Sequence, residues 1–349
     1  TVRHNTANEQ DSVTRPAYIT MQGTYVIPGA LPAIWNPAGS PYNLFNGITF
    51  DEGEIFQIMD GVVINVFGDE PLTIEGTLIA NNVTFAGPAA GGWAGLVFEG
   101  DDRNISSLTS CTIVDAASPL KILGCSPNIS GLTINTTDSR DIRDAETAIF
   151  IGANSAAQID SVQIDGYPEG VVIDNEAASG SSTPTLTYIR VRNSTQTSRS
   201  GLTGTGLSLK GSATISDVEI KGYDTGIEVK NSNTGTTPTL TYIRVRNSTQ
   251  TSREEEVKGT TGAKVSGNVI IDSLDVAGYE TGVEVKSSEN ATATPTLTYI
   301  RVRNSTQTSR EEDNSLGMLI EDGAAPNIHD VEIVDMPRGI LIQGDESRF

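Results

Sequence analysis

The chain contains one seventeen-residue sequence three times without a single difference, and this repeat constrains its fold more than any other feature. The copies span residues 183–199, 237–253 and 294–310. Repetition along a chain is typical of arrays in which each unit packs mainly against its neighbours. A catalytic site is normally built once, from residues that do not recur. The repeat therefore predicts an elongated, repetitive architecture. It favours a surface that acts through repetition, and the alternative is a recent duplication with no function of its own.

A broader pattern of apolar residues, of the form apolar-x-x-apolar-x-apolar, surrounds the identical copies. Its closing apolar-x-apolar predicts a short strand with one buried face. A second strand follows and usually opens with glycine, as in Gly226-Ile-Glu-Val. The pattern occurs at Leu108/Cys111/Ile113, Ile129/Leu132/Ile134, Ile159/Val162/Ile164, Leu186/Ile189/Val191, Ile215/Val218/Ile220, Leu240/Ile243/Val245, Ile271/Leu274/Val276, Leu297/Ile300/Val302 and Ile328/Val331/Ile333.

The connection between the two strands alternates in length along the chain. Five residues separate the strands after Ile164 and Ile220, whereas 14 and 16 separate them after Val191 and Val245. We therefore predict an all-β solenoid of about ten coils, in which short-loop and long-loop coils alternate in two-coil repeats of about 56 residues. Residues 61–349 are expected to form this solenoid. Residues 1–60 are expected to form a strand-rich capping or assembly segment at its N-terminal end.

Two segments resemble sequences that recur in the coils of a known superfamily. They are Gly92-Trp93-Ala-Gly95-Leu-Val-Phe98 and Pro127-Asn-Ile-Ser-Gly-Leu-Thr-Ile134. On these segments the chain resembles the right-handed parallel β-helix (pectate-lyase-like) superfamily, which includes polysaccharide-active enzymes and surface-layer or sheath proteins of bacteria and archaea. The resemblance covers roughly residues 60 to 349. It implies a right-handed parallel β-helix, in agreement with the strong handedness bias of parallel crossovers.

Charge and hydropathy narrow the classes of partner. The formal net charge is −21, from 44 acidic and 23 basic residues, which disfavours nucleic acid because phosphate binding needs positive surface. No apolar run reaches the length of about 18 residues that a membrane span requires. The first residues, Thr-Val-Arg-His, are those expected of a processed exported protein or of a trimmed chain. We expect an extracellular or cell-surface protein without a cofactor.

Outward positions of the predicted strands carry alternating charges. The position between the last two apolar residues of successive coils holds Arg190, Glu219, Arg244, Asp275, Arg301 and Glu332. In a parallel solenoid these six side chains are expected to stack into one file of alternating sign, in which a slip of one coil would place like charges together. The file is interpreted as a register device and as part of a surface for lateral self-association. The alternative is an ordinary solvated surface.

Two further sets of residues suggest covalent modification. Asn135, Asn193, Asn247 and Asn304 each begin an Asn-x-Ser/Thr sequence at the exit from a strand, so they are candidate glycosylation sites. The alternative is that each asparagine side chain caps a turn. Cys111 and Cys125 are the only cysteines. They can form one disulfide, or they can be two thiols in the apolar core.

Candidates for catalysis are few. Asp101 and Asp102 are adjacent, and several carboxylates lie within 138–146, but the accompanying motifs of polygalacturonases are absent. The two histidines, His4 and His329, lie in the polar N-terminal segment and at an outward position of the last coil. General acid–base chemistry by histidine is therefore not expected. We predict no catalytic residue, no metal site and no enzyme activity.

These observations together predict a non-catalytic extracellular structural protein that assembles into a surface layer, sheath or filament. Its expected partners are other copies of itself, through coil edges and lateral stripes, with cell-wall glycans as a further candidate partner. One alternative is a carbohydrate-binding or adhesin module that uses the aligned Tyr188, Tyr242 and Tyr299. A further alternative, given by the superfamily resemblance, is a polysaccharide lyase or hydrolase.

Overall fold

The structure, a computed structural model, is a parallel β-helix built from two long sheets. It describes residues 23–26, 31–87, 93–100, 105–136, 147–176, 183–193, 204–230, 237–247, 260–287, 292–304 and 315–344. Within these ranges one sheet has 18 strands and the other has 12, and every strand pairing is parallel. The all-β parallel solenoid predicted from the sequence is therefore confirmed.

The strands are short in the first half of the chain and longer in the second. The first are β1 Thr24–Val26, β2 Ile34–Trp35, β3 Tyr42–Leu44, β4 Ile48–Phe50, β5 Ile55–Ile58, β6 Val63–Val66, β7 Leu72–Ile74, β8 Thr77–Asn81, β9 Thr84–Ala86 and β10 Leu96–Glu99. Then follow β11 Ser107–Thr109, β12 Thr112–Val114, β13 Leu120–Leu123, β14 Asn128–Ser130, β15 Thr133–Asn135, β16 Thr147–Ile151, β17 Gln158–Asp165 and β18 Glu169–Asn175. The last are β19 Thr185–Arg192, β20 Thr205–Gly211, β21 Thr214–Lys221, β22 Thr225–Val229, β23 Thr239–Arg246, β24 Thr261–Val265, β25 Ile270–Ala277, β26 Thr281–Lys286, β27 Thr296–Arg303, β28 Leu316–Glu321, β29 Asn327–Val334 and β30 Arg338–Ile342.

Each coil from residue 158 onwards uses one long strand of the 18-stranded sheet and one strand of the 12-stranded sheet. The apolar positions of the sequence pattern point inward and are almost fully buried, as Leu240, Ile243 and Val245 show with 0%, 2% and 0% exposure. They stack on the same positions of the coils above and below, so that Leu240 pairs with Ile215 and Ile271. The core is therefore a continuous apolar column along the solenoid axis.

A left-handed residue divides each long strand into two parts. It lies after the first inward residue of the pattern, and in β19 it is Tyr188 with φ of 55°. The equivalent residues in the other long strands are Ser161, Asp217, Tyr242, Ser273, Tyr299 and Asp330, with φ between 53° and 69°. Because a left-handed residue interrupts extended geometry, it bends the strand and forms a corner of the coil. The apolar pattern of the sequence did not indicate this bend.

The glycine that opens each strand of the 12-stranded sheet is required by close packing. A methyl group at Gly226 would overlap the Cγ1 of Val245 and lie 2.5 Å from the carbonyl oxygen of Gly262. The same conflict with a valine or isoleucine of the next coil recurs at Gly170, Gly206, Gly262 and Gly282. The two sheets therefore approach each other most closely along this line of glycines, where no side chain fits.

Buried tyrosines follow the strand ends of the short-loop coils at intervals of one two-coil repeat. The hydroxyl of Tyr167 donates a hydrogen bond to the carbonyl oxygen of Ala116 at 2.9 Å, and that of Tyr223 donates to the carbonyl oxygen of Tyr167 at 2.9 Å. Burial raises the pKa of Tyr223, so the hydroxyl stays protonated and able to donate. Tyr279 occupies the next repeat, but within the described residues its hydroxyl has no hydrogen-bond partner.

This difference predicts unequal costs for two chemically identical substitutions. Tyr223→Phe leaves the buried carbonyl of Tyr167 unpaired, and we expect it to lower the free energy of unfolding by about 1–2 kcal/mol. Tyr279→Phe removes a buried hydroxyl without a partner, so we expect a change near zero or a small gain. Urea unfolding of both variants measures the two values, and equal losses would show that the tyrosine hydrogen bonds contribute nothing.

The N-terminal region is part of the solenoid. β1, β2, β3 and β5 pair in parallel within the 18-stranded sheet, and β4 pairs with β7 in the other sheet. The expected boundary at residue 60 therefore does not coincide with a change of fold, and the 12 strands of the second sheet exceed the expected ten coils. The sequence pattern missed these coils because their strands are only two to four residues long.

An aromatic cluster fills the core of these first coils. Trp35 stacks on Tyr42 at 4.7 Å between ring centroids, and Phe50 meets Phe56 edge-on at 4.5 Å. All four side chains are at most 4% exposed. A 3₁₀ turn at Pro37–Gly39 lies beside them, with the hydroxyl of Tyr42 accepting a hydrogen bond from the backbone N–H of Asn36. The N-terminal coils are therefore sealed by large rings where later coils use Ile, Val and Leu.

Cys111 and Cys125 are both buried, and no disulfide joins them in the structure. Disulfide formation stays a prediction. Burial raises the pKa of the Cys111 thiol, which keeps it in its neutral form. In the part of the chain that the structure describes, no helix has the length and apolar character needed to cross a membrane.

Candidate interaction surface

The six charged residues predicted to form a file are in register in the structure. Arg190 pairs with Glu219, Glu219 with Arg244 and Arg244 with Asp275 on adjacent parallel strands. The series continues from Asp275 to Arg301 and from Arg301 to Glu332. We call these six residues the charge file. It follows the outer side of the 18-stranded sheet, immediately beyond the left-handed bend.

Glu219 is the centre of the best-connected part of the charge file. Its carboxylate lies 3.4 Å from the Nε of Arg190 and 2.6 Å from the Nζ of Lys221. Arg190 also donates a hydrogen bond of 2.8 Å to the carbonyl oxygen of Asp217 in the next coil. Hydrogen bonding from Lys221, with the positive charges of Arg190 and Arg244, holds the pKa of the Glu219 carboxyl below its usual range.

The shift of Glu219 predicts a pH-dependent contribution to stability. Because its pKa is lower in the folded chain, the stabilisation is present above the unfolded pKa of about 4.3 and is lost as the pH falls through the folded pKa. Glu219→Gln is expected to lower the free energy of unfolding by about 0.5–1 kcal/mol at pH 7 and by less at pH 3. Urea unfolding between pH 7 and pH 3 measures this difference, and a constant difference would contradict the assignment. Glu332→Gln, at a side chain that is 60% exposed, is the control and should have the smaller effect at pH 7.

The ion pairs of Asp275 differ from those that the alternating charge file predicts. Its carboxylate contacts Arg246 at 2.5 Å and Arg303 at 3.2 Å, and both arginines lie in the neighbouring outward file. Between them in that file stands Ala277, which is small and 6% exposed. The small side chain leaves room for both arginines to reach across. The ion pair of Asp275 is therefore made between files rather than within the charge file.

Three tyrosines project from the bend itself. Tyr188, Tyr242 and Tyr299 are 52%, 63% and 61% exposed, and they occupy equivalent left-handed positions of alternate coils. We call them the tyrosine ridge. The coils between them carry Asp217 and Ser273 at the same position. A left-handed conformation is unfavourable for a large aromatic residue, and each of the three identical copies places a tyrosine there with its ring outward.

The four candidate glycosylation sites lie where the long strands end. Asn193 and Asn247 are 5% and 7% exposed, and Asn135 and Asn304 are half-buried. The backbone N–H of Asn193 donates to the carbonyl oxygen of Lys221 at 3.0 Å. An amide buried in this way must turn outward before it can accept a glycan. Glycosylation stays a prediction, and the burial of Asn193 and Asn247 disfavours it.

The acidic candidates for catalysis, Asp101, Asp102 and the segment 138–146, lie outside the described residues, as does His4. His329 lies in β29 and pairs with Thr298 on the outer face. Among the residues that the structure describes, no group of three or more His, Cys, Asp or Glu is placed to hold a metal ion. The arrangement that stands out chemically on this part of the chain is the tyrosine ridge beside the charge file.

Comparison with known proteins finds a structural likeness and no match in sequence. No protein-family model matches the chain, and no curated protein matches its sequence. Among solved structures, the chain is similar to the A-module of the mannuronan C-5 epimerase AlgE4 of Azotobacter vinelandii, with 12% sequence identity and a TM-score of 0.44. The match covers 91% of this chain and 89% of the other. The strand pairings of this chain themselves show a parallel β-helix, as the sequence predicted.

The same comparison corrects one prediction. The sequence led us to expect a chain that is not an enzyme, but the similar structure belongs to an enzyme. The fold thus gives no ground for excluding catalysis, and the expectation is withdrawn. At 12% identity and a TM-score of 0.44, the likeness assigns neither a catalytic residue nor a substrate to this chain.

Proposed function

We propose that this chain is an extracellular structural protein whose copies associate side against side in a cell-surface layer, sheath or filament. The observation that carries the proposal is an outward face copied in three alternate coils. Each copy presents an exposed tyrosine at the bend and two arginines beyond it, at the same register positions. A face with a regular period offers many equivalent contacts to a neighbour with the same period.

The charges of this face suit contact between copies. The charge file alternates in sign, so a neighbouring file displaced by one coil meets opposite charges along its whole length. Such complementarity fixes the relative position of two surfaces and speeds their association more than it adds affinity. Away from the file the chain is strongly acidic, with a net charge of −21 overall, and like charges keep other faces apart.

Sedimentation velocity on the full chain, over a range of concentrations and at two salt concentrations, tests the proposal. We expect concentration-dependent association that weakens as salt rises, because exposed charges are screened over about 10 Å at 0.1 M salt. Negative-stain electron microscopy of the associated material should show rods packed side by side. A chain that remains monomeric at the highest concentration, in low and high salt, would overturn the proposal.

Binding of cell-wall glycan is a second candidate, and the tyrosine ridge favours it. Exposed aromatic rings stack on sugar rings, while threonine and arginine side chains supply hydrogen bonds. Thr187 and Thr241 lie directly before two of the tyrosines, and Arg190 and Arg244 lie two residues beyond them. Affinity electrophoresis in polysaccharide gels tests this candidate. Retardation of a monomeric wild-type chain, lost on Tyr242→Ala, would favour glycan binding over self-association.

A further inference from the structure

We infer that two copies of the chain pair ridge against ridge in antiparallel orientation, about a two-fold axis that passes between the coils of Tyr242 and Ser273. The inference deepens the proposed function and rests on it, because it names the surface and the symmetry through which copies associate. Two alternations along the same face support the inference. Side-chain size alternates at the bend, and the sign of the charge alternates in the charge file.

The size alternation makes the face self-complementary. Tyrosines that are 52–63% exposed stand on alternate coils, about 9.6 Å apart for two coil spacings. The positions between them hold Asp217 and Ser273, which are shorter and half-buried. The face is therefore a row of projecting rings separated by gaps of one coil. A second row with the same period fits into it after a shift of one coil, since each ring then enters a gap.

The period argues for a second copy of this chain as the occupant. A ligand with its own repeat length, such as an extended glycan, must match the coil spacing by coincidence, and any mismatch accumulates along the ridge. Another copy of the chain has the same spacing by construction, because both rows are set by the same stacking of parallel strands. The mismatch is then zero at every tyrosine.

Symmetry selects the antiparallel arrangement. A two-fold axis parallel to the solenoid places each tyrosine opposite the same tyrosine of the other copy, so the rings collide. A two-fold axis perpendicular to the solenoid, passing between the coils of Tyr242 and Ser273, places rings opposite gaps. The facing pairs are then Tyr188 with the partner's Asp330, Tyr242 with the partner's Ser273, and Tyr299 with the partner's Asp217.

The order of charges along the charge file also fits this axis. Arginines occur on the coils with tyrosine, and acids occur on the coils with gaps, so the two alternations have the same phase. The two-fold axis that places each ring in a gap therefore also places unlike charges opposite each other. The pairs are Arg190 with the partner's Glu332, Glu219 with the partner's Arg301, and Arg244 with the partner's Asp275. The contact of Arg244 with the partner's Asp275 is the weakest of the three, because Arg246 and Arg303 of the same chain already bind that carboxylate.

Charge-swap mixing tests the pairing. Glu219→Arg sets the introduced guanidinium against the partner's Arg301 at both symmetric contacts, and Arg301→Glu sets the native Glu219 against the carboxylate introduced in the partner. Each variant alone should associate at least about tenfold more weakly than the wild type, as expected when like charges meet in an interface. An equimolar mixture of the two variants should recover wild-type affinity, because only the mixed pair restores unlike charges at both contacts. Sedimentation velocity with one variant fluorescently labelled measures the mixed species.

Two controls separate this contact from general effects of charge and folding. On the 12-stranded sheet Lys264 stacks between Glu228 and Glu284. Lys264→Glu reverses its charge away from the proposed contact, so it should leave association unchanged. Ser273→Tyr fills the gap that receives the partner's Tyr242 and should abolish pairing without any change of charge. Tyrosine already occupies this left-handed position in neighbouring coils, so the fold accepts the substitution. Circular dichroism confirms that each variant is folded.

The outcomes distinguish the inference from the function on which it rests. Weak association of each charge variant with recovery in the mixture supports the antiparallel pair. Wild-type association that neither charge variant nor Ser273→Tyr weakens overturns this surface and leaves the proposed function standing. Loss of association in both charge variants without recovery in the mixture overturns the antiparallel register. A wild-type chain that never associates removes the inference and the proposed function together.

Discussion

Gly226→Ala is expected to lower the free energy of unfolding by about 3 kcal/mol, because overpacking a dense interior forces neighbouring atoms to move. The new methyl group meets the Cγ1 of Val245 on one side and the carbonyl oxygen of Gly262 at 2.5 Å on the other. The valine side chain can rotate, but the carbonyl belongs to the next strand of the 12-stranded sheet and cannot move without breaking its pairing. Thermal and urea unfolding measure the loss.

Gly339→Ala is the matched control. Gly339 occupies the same place in β30, the last strand of this sheet, and nothing lies within 4 Å of where its methyl group would be. Since neither glycine adopts a left-handed conformation, replacing either with alanine reduces the freedom of the unfolded chain by a similar amount. We expect Gly339→Ala to be neutral or slightly stabilising. If both variants lose the same stability, the close approach of the two sheets is not what requires the glycine.

The fold was predictable because its main determinants repeat. Inward apolar residues such as Leu240 and Ile243 recur at fixed spacing, and the spacing alone placed them in stacked positions that the structure reproduces. The N-terminal coils were not predictable in this way. Their strands are short, and aromatic rings such as Trp35 and Phe50 replace the regular aliphatic positions. Single coils without a matching neighbour in the sequence leave no period to detect.

The candidate surface was only partly predictable, and the reason is geometric. Register followed from the spacing, so the stacking of Arg190 on Glu219 could be read directly. The left-handed bend at Tyr188 could not be predicted, because tyrosine rarely adopts that conformation and no neighbouring residue indicates it. The ion pairs of Asp275 also escaped prediction, since they depend on the small side chain of Ala277 in a neighbouring file.

Leu240→Ala is expected to lower the free energy of unfolding by about 3 kcal/mol, through lost burial and the cavity that remains. Leu240 is fully buried and packs between Ile215 and Ile271 of the adjacent coils. Thr241→Ala, at the next and outward-facing position of the same strand, is the control and should change stability by less than about 0.5 kcal/mol. Native-state hydrogen exchange locates the effect, and protection should fall in β21, β23 and β25 while β6 is unaffected.

The identical copies allow a sharper comparison, because Leu186 occupies the same place one two-coil repeat earlier. It is 1% exposed and lies between Ile159 and Ile215, so its surroundings are nearly those of Leu240. When each coil contacts only its neighbours, stability is approximately a sum of local terms. Leu186→Ala should therefore cost the same as Leu240→Ala within about 0.5 kcal/mol. Both leucines pack on Ile215, so the cost of the double variant is expected to differ from the sum of the two single costs. Clearly unequal single costs would mean that stability in this solenoid is shared over more than adjacent coils.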